Sequence, residues 1–273
     1  MKYKFGITQG RLIPPSNGEL QCFPGERWVE EFKFAENIGF EFVELLAERK
    51  HNELNPIWTD EGKRKILENS RKYNLDIYSS CLDYIMDNGI TKNNLIEDER
   101  LSYIFNYIKS VSKLSIKLVI LPLLEESSLD EFNIDQISQF VSKIAKYADE
   151  LNIKIALESI AKPKTLIKVL KKINLKNIGV VFDTGNSAIL SENYLEDINI
   201  LSEYIIHVHI KDIRKPFGNV PLGTGIVDFV GIFKNLKKIN YNGYFSFETN
   251  RGVDPINTGR HNLNYINYIV SLA

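Results

Sequence analysis

The sequence has few of the features that mark disulfide-rich, metal-thiolate or membrane-spanning proteins. Its two cysteines, Cys22 and Cys81, form no C-x-x-C pair, so neither a disulfide framework nor a thiolate zinc site is expected. No apolar run approaches the roughly 20 residues that span a bilayer. The amino-terminal residues also lack the long apolar segment of a secretory signal. Together these absences predict a cytoplasmic protein with no membrane partner.

An excess of positive charge is missing as well. The chain carries 34 Lys and Arg against 35 Asp and Glu, a net charge of −1. Proteins that bind nucleic acid through a general electrostatic field are usually strongly basic, so we expect no nucleic-acid partner. No low-complexity linker divides the 273 residues, and hydrophobic residues (44%) and charged residues (25%) occur in the proportions of an ordinary globular protein.

Short β-rich segments alternate along the chain with longer segments of helical period. The predicted strands cover residues 3–8, 40–46, 75–82, 116–121, 153–157, 178–182, 204–210 and 244–247, and the third predicted helix covers 95–114. Strict alternation of strand and helix requires parallel strands joined by crossover helices. Eight such units in 273 residues fit a closed barrel better than an open sheet, and no glycine-rich phosphate-binding fingerprint follows the first strand. The sequence therefore predicts an α/β protein, a single (β/α)8 barrel domain over residues 1–273.

Ionisable residues occupy the carboxyl ends of four consecutive predicted strands, where (β/α)8 barrels place their active sites. Glu158 ends the fifth strand, Asp183 the sixth, His209 the seventh and Glu248 the eighth. Because alternate side chains of a strand point to opposite faces, the bulkier apolar neighbours of these residues face the helices, and the four polar groups converge in the barrel mouth. The alternative is that each carboxylate separately caps the helix that follows it. Four consecutive strands with the same alternation favour a shared site.

Three converging carboxylates repel one another and raise one another's pKa values unless a cation lies between them. A divalent metal ion removes that conflict. Three oxygen donors and one imidazole favour Mn²⁺ or Mg²⁺, while Zn²⁺ and Co²⁺ are also compatible with this set. We therefore predict one divalent metal ion as the cofactor, with Mn²⁺ as the first choice.

The same strand ends resemble those of the xylose-isomerase-like barrel superfamily, which includes sugar-phosphate isomerases and epimerases, ketose 3-epimerases, inosose dehydratases and endonuclease IV. The similar stretches are ALE at 156–158, FDTGN at 182–186, HVHIKD at 207–212, PLGTGIVDF at 221–229 and FET at 247–249, with GITQGRL at 6–12 and GFEFVEL at 39–45. The resemblance covers nearly the whole chain. It implies that Glu158, Asp183, His209 and Glu248 are the metal ligands, and that Glu158 and Glu248 also exchange the substrate proton. His207 would lie one layer deeper, where we expect a hydrogen-bonded core histidine.

Some positions depart from patterns common in that superfamily. Asn186 stands three residues after Asp183, where many relatives carry His; its amide can bind a sugar hydroxyl but cannot act as an acid or base. Ketose epimerases place an Arg six residues after the ligand His, and here that position is Lys215, with Arg214 beside it. The Asp-x-His pair of the endonuclease IV type is absent between residues 211 and 227, so a three-metal nuclease is not expected.

Further charged residues lie close to the predicted barrel mouth. Cations there could hold phosphate or acidic sugar groups, and a carboxylate at the end of the second strand could orient either a hydroxyl or another side chain of the site. The alternative for each cation is a solvated loop charge. The residues that we predict to bind substrate are Asn186, Arg214, Lys215, Lys211, Arg11 and Glu44.

These features predict a metal-dependent isomerase that epimerises or isomerises a ketose or sugar phosphate through an enediolate, with Glu158 and Glu248 as acid and base. Two alternatives stay open. One is a metal-dependent dehydratase of a cyclitol ketone, similar to inosose dehydratase, and the other is a sugar-binding barrel without turnover. The expected partner is a small-molecule sugar or sugar phosphate, and the sequence leaves open whether the chains form a homo-oligomer.

Overall fold

The computed structural model describes residues 3–15, 18–90, 97–216 and 218–273. The strands within these residues are β1 (Lys4–Thr8), β2 (Phe42–Ala47), β3 (Asp76–Leu82), β4 (Leu118–Leu123), β5 (Lys154–Ser159), β6 (Ile178–Asp183), β7 (Ile205–Ile210), β8 (Asp212–Arg214), β9 (Gly218–Val220) and β10 (Tyr244–Phe247). The α-helices are α1 (Trp28–Ile38), α2 (Asp60–Lys72), α3 (Tyr84–Asp87), α4 (Glu97–Ser112), α5 (Ile134–Glu150), α6 (Pro163–Ile173), α7 (Thr184–Leu190), α8 (Tyr194–Ile200), α9 (Phe229–Lys238) and α10 (Pro255–Leu272).

Eight of the strands form a closed parallel barrel with helices around it, in the order β1-β10-β7-β6-β5-β4-β3-β2. The other two strands, β8 and β9, form a separate antiparallel pair in the loop after β7. The barrel is the (β/α)8 fold that the alternation of strand and helix predicts. Its strand order places the carboxyl ends of β5, β6, β7 and β10 next to one another along the rim.

Two compact units can be distinguished within the chain. One consists of residues 1–44, 69–76 and 182–273, and it contains β1, β7, β10 and the β8–β9 hairpin. The other consists of residues 45–68 and 77–181, and it contains β4 and β5. The single domain over residues 1–273 stays a prediction.

Aromatic side chains fill the space between β10 and α9 in the first unit. The ring centroid of Phe245 lies 5.0 Å from that of Tyr3 and 5.4 Å from that of Phe233 on α9. The next residue, Ser246, points the other way, and its Oγ lies 2.9 Å from Nε2 of His207. The predicted alternation of the eighth barrel strand is thus present, with large apolar rings outside and a small polar residue inside.

In the second unit, β4 is buried along its whole length and packs beside β5. The pairing runs from Leu118 opposite Lys154 to Leu123 opposite Ser159, and this register places Glu158 one residue before the carboxyl end of β5. Helix α5 covers the strands with its apolar stripe. The buried residues of this helix include Ile137, Val141, Ile144 and Ala148, as the spacing of its apolar residues predicts.

The observed elements differ from the predicted ones mainly in the loops. Strand β2 begins at Phe42 rather than at residue 40, and α4 is described from Glu97, so positions 95 and 96 of the predicted helix lie outside the described residues. The β8–β9 hairpin is absent from the predicted elements, because strands of three residues are too short to show a period of two. Within the described residues, every helix is too short or too polar to cross a membrane.

Candidate active site

The four residues predicted at the strand ends lie together in the structure. Glu158 lies in β5, Asp183 ends β6, His209 lies in β7 and Glu248 follows β10. Each residue is buried and offers one ligand atom, and these four atoms all lie within 4.8 Å of one another. Three carboxylates and one imidazole at this spacing form a donor set that fits a divalent metal ion.

Asp183 uses its two carboxylate oxygens differently. Oδ1 accepts a hydrogen bond of 2.7 Å from the backbone N–H of Asn186 and so caps helix α7. Oδ2 lies 3.9 Å from Nδ1 of His209 and 2.9 Å from Nζ of Lys211. Helix capping, which alone would explain a carboxylate at this position, therefore occupies one oxygen and leaves the other directed at the cluster.

A carboxylate from another strand orients His209. The Nδ1 atom of His209 lies 3.6 Å from Oε2 of Glu248, and its Nε2 atom lies 3.1 Å from Oε1 of Glu44 in β2. The second oxygen of Glu44 lies 3.0 Å from Nε2 of His207 and accepts a hydrogen bond of 2.8 Å from the hydroxyl of Ser246. Glu44 and His207 are both fully buried. His207 is thus the hydrogen-bonded core histidine that its position predicts, and Glu44 keeps Nδ1 of His209 facing the cluster.

Neighbouring charges keep both Glu44 and Glu248 ionised. Burial alone would raise the pKa of Glu44, but the two adjacent imidazoles outweigh burial and hold that pKa well below its usual value. Burial also opposes ionisation of Glu248, and the nearby Lys211, His209 and Arg11 overcome it and lower the pKa of that carboxyl. A carboxylate that stays charged when buried is suited to bind a cation.

Lys211 lies inside the cluster. Its Nζ atom is 2.9 Å from Oδ2 of Asp183 and 3.0 Å from Oε2 of Glu248, and the residue is 8% exposed. It follows the end of β7 by one residue and continues the inward alternation of His207 and His209. The ammonium group therefore balances the charge of two of the predicted metal ligands, while its contact with substrate stays a prediction.

Arg11 follows β1 and is buried beside Glu248. Its Nη2 atom lies 3.3 Å from Oε1 of Glu248 and donates a hydrogen bond to Gln21 as well, and Nη1 lies 3.5 Å from the carbonyl oxygen of Thr249. The two oxygens of Glu248 are thus held by different cations, since Lys211 contacts Oε2 and Arg11 contacts Oε1. This arrangement fixes the orientation of the Glu248 carboxylate.

The other predicted substrate residues are more exposed than the clustered ones. Asn186 is half-buried in α7, whereas Arg214 and Lys215 are exposed at the β8–β9 hairpin.

Asp212 organises the loop that contains this hairpin. A Cβ atom on Gly225 would lie only 2.0 Å from Oδ1 of Asp212, so the loop requires glycine at position 225. The carboxylate of Asp212 accepts hydrogen bonds from the backbone N–H groups of Ile213, Gly223, Gly225 and Val227.

Two buried charged residues near Arg11 are missing from the sequence-based set. Glu31 lies on the buried face of α1 together with Trp28 and Ala35. Its helical spacing from these apolar residues is the sequence pattern that could have identified it as a buried glutamate. Arg251 follows Glu248 by three residues and is 8% exposed. No pattern in the sequence distinguishes it from a solvated loop arginine.

The chain has relatives among known proteins. Residues 32–268 match the family model of the xylose isomerase-like TIM barrel, and this chain belongs to that family. The chain is 26% identical over 273 residues to SgbU of Haemophilus influenzae, provisionally named an L-ribulose-5-phosphate 3-epimerase, with 93% of this chain and 92% of the relative covered. It is 23% identical over 250 residues to L-ribulose-5-phosphate 3-epimerase UlaE of Escherichia coli, with 87% of each chain covered. A solved structure of an L-ribulose 3-epimerase shares the fold, with a TM-score of 0.81, 16% identity, and 99% of this chain and 95% of that chain covered.

Proposed function

We propose that this protein is a divalent-metal-dependent epimerase of a ketose or ketose phosphate. The observation that carries the proposal is the buried group of Glu158, Asp183, His209 and Glu248, whose ligand atoms lie within 4.8 Å of one another. The names of SgbU and UlaE, which both refer to an L-ribulose-5-phosphate 3-epimerase, support the same reaction class. A small-molecule sugar is therefore the expected substrate.

The four clustered residues would hold the ion, with Mn²⁺ as the first choice among Mn²⁺, Mg²⁺, Co²⁺ and Zn²⁺. When bound, such an ion supplies Lewis-acid chemistry that polarises the substrate carbonyl and offsets developing negative charge. Glu44 would orient His209, because its contact with Nε2 leaves Nδ1 facing the other ligands.

Glu158 and Glu248 would exchange the substrate proton. One carboxylate removes the proton from the carbon beside the ketose carbonyl, which gives an enediolate, and the other returns a proton to the opposite face. Lys211 and Arg11 lie 3.0 Å and 3.3 Å from the oxygens of Glu248 and keep it ionised, which is the form that a base requires, although the same two cations weaken it as a base. Lys211, Arg11, Asn186, Arg214 and Lys215 are the proposed contacts to substrate oxygens.

The test is epimerisation of L-ribulose 5-phosphate and free L-ribulose in D₂O, followed by proton NMR. The wild type is expected to exchange the hydrogen at C3 with solvent and to form the C3 epimer. Glu158→Gln and Glu248→Gln should each lower the rate by about 10²- to 10⁴-fold, because an amide cannot accept the proton. Glu36→Gln, which changes an exposed glutamate of α1, is the matched control. An unsaturated product with loss of water, or full activity in Glu248→Gln, would contradict the proposal.

A further inference from the structure

Arg251 is a buried cation in the segment between β10 and α10. The residue is 8% exposed, and its Nη2 atom donates a hydrogen bond to the backbone carbonyl of Glu19. Among the residues that the structure describes, no carboxylate forms an ion pair with it. A guanidinium has five N–H donors, and burying its charge without a partner is costly. The burial of Arg251 therefore points to an anion that is supplied from outside the chain.

A second buried guanidinium lies close to Arg251. Arg11 is 3% exposed and donates to the side chain of Gln21, while Arg251 donates to the backbone of Glu19, so both arginines hold the same short stretch of chain. Burial, and then the nearby positive charge of Arg11, lower the pKa of Arg251, and the carboxylate of Glu31 only partly opposes them. Two like charges in a buried setting repel each other, and an anion bound by both would relieve that repulsion.

The backbone around Arg11 is held in place before any ligand binds. Both oxygens of Glu31 accept backbone hydrogen bonds of 2.9 Å, one from the N–H of Gly10 and one from the N–H of Leu12. Gly10 has a φ of 85°, and a Cβ atom there would lie 2.3 Å from the carbonyl oxygen of Cys22. The loop that carries Arg11 is thus packed tightly, which reduces the entropy lost when a ligand binds.

Glu31 is the buried carboxylate that faces this loop, and it balances the arginines only in part. Burial raises its pKa to about 7, although the backbone hydrogen bonds oppose that shift. A substantial fraction of Glu31 is therefore neutral near pH 7. The other carboxylate in contact with the pair, Glu248, is shared between Arg11 and Lys211.

We propose that Arg11 and Arg251 form a subsite that binds the phosphate group of a phosphorylated ketose. A dianionic phosphate matches the fork of donors that two guanidinium groups present. The subsite adjoins the reacting end of the substrate, because Arg11 also contacts Glu248 at 3.3 Å. This inference rests on the proposed function and adds to it a preference for a phosphorylated over an unphosphorylated substrate.

The experiment compares kcat/KM for L-ribulose 5-phosphate and L-ribulose in the metal-loaded protein. The wild type should favour the phosphorylated ketose by at least about 100-fold, and Arg251→Gln should lower that ratio by at least about 30-fold, which is the range of a lost charged hydrogen bond. Arg260→Gln, at an exposed position of α10, should keep the ratio within about twofold of the wild type. An unchanged ratio in Arg251→Gln overturns the inference. If Arg251→Gln does not fold, Arg251→Lys replaces it in the test. Lysine keeps the positive charge but lacks the paired N–H donors of a guanidinium, so the ratio of kcat/KM between the two ketoses should still fall.

Calorimetry with inorganic phosphate separates this inference from the proposed function. The wild type and Arg260→Gln should bind phosphate, and Arg251→Gln should bind it at least about 10-fold more weakly. If neither ketose is turned over but phosphate binding depends on Arg251, the proposed function fails and the subsite stands. If the wild type epimerises free L-ribulose as well as the phosphate ester and does not bind phosphate, the proposed function stands and the subsite is excluded.

Discussion

The Oε1 atom of Glu44 lies 3.1 Å from Nε2 of His209, on the side of the imidazole that faces away from Asp183 and Glu248. The negative charge of a carboxylate in this position favours the tautomer with its proton on Nε2, which leaves the lone pair of Nδ1 directed at the cluster. Because Glu44 is fully buried, water does not compete for its contact with His209. Glu44 is therefore placed to position the predicted metal ligand, while its predicted contact with a substrate hydroxyl stays a prediction.

The first prediction concerns this positioning. Glu44→Gln removes the negative charge that orients and polarises His209, and it should weaken Mn²⁺ binding by about 10- to 100-fold. Isothermal titration calorimetry of the metal-free protein measures the affinity. The exposed Glu36→Gln variant should bind Mn²⁺ as the wild type does. Equal affinities in the two variants would show that Glu44 supports only the fold.

The second prediction concerns Lys211, whose Nζ lies 2.9 Å from Asp183 and 3.0 Å from Glu248. Lys211→Met leaves these buried carboxylates without their counter-charge, so the metal-free protein should lose on the order of 3 kcal/mol of unfolding free energy. The same change should strengthen Mn²⁺ binding by about 10-fold or more, because the ammonium repels a divalent cation. Urea unfolding with a chelator measures the first effect, and calorimetry measures the second. Weaker Mn²⁺ binding in Lys211→Met would contradict this account.

The third prediction is a pH dependence that arises at Glu31. Its pKa is raised from 4.5 to about 7 in the folded protein, chiefly by burial. The folded state therefore holds this proton more tightly than the unfolded state, and the resulting stability is complete below pH 4.5 and is lost as the pH rises through 7. Between these limits the wild type should lose about 3 kcal/mol relative to Glu31→Gln, which cannot titrate.

Urea unfolding of both proteins from pH 4.5 to 8, with a chelator present, tests this dependence. Glu31→Gln is expected to be less stable at low pH, because an amide cannot accept both backbone hydrogen bonds. The informative quantity is therefore the difference in unfolding free energy between the two proteins, followed as a function of pH. A difference that stays constant, or grows in favour of the wild type as the pH rises, would exclude a raised pKa at Glu31.

Local sequence patterns predict the barrel and the strand-end residues because both depend on short-range periodicity. The alternation around Phe245, Ser246 and Phe247 is visible in the sequence, and the structure places these side chains on the predicted faces. Continuing the alternation of β7 by one step, from His207 and His209, would also have placed Lys211 inside the barrel rather than in a loop.

The contacts that sequence cannot predict join segments far apart in the chain. Arg11 and Glu248 are 237 positions apart, and Ser246 and Glu44 are 202 positions apart. Which loop arginine is buried depends on how such segments pack, and a single sequence does not record that packing. Arg251 and Arg214 illustrate the point, since Arg251 follows β10 and is buried, whereas Arg214 ends β8 and is exposed.

The most direct test of the central claim is a titration of chelator-treated protein with Mn²⁺, in which epimerisation of L-ribulose 5-phosphate is measured at each step. A single catalytic metal site predicts negligible activity without metal and a linear rise that ends at one Mn²⁺ per chain. Asp183→Asn and His209→Gln should lose both the binding and the activity. Full epimerisation by the metal-free protein, or by either of these variants, would contradict the assignment of the four strand-end residues as a catalytic metal site.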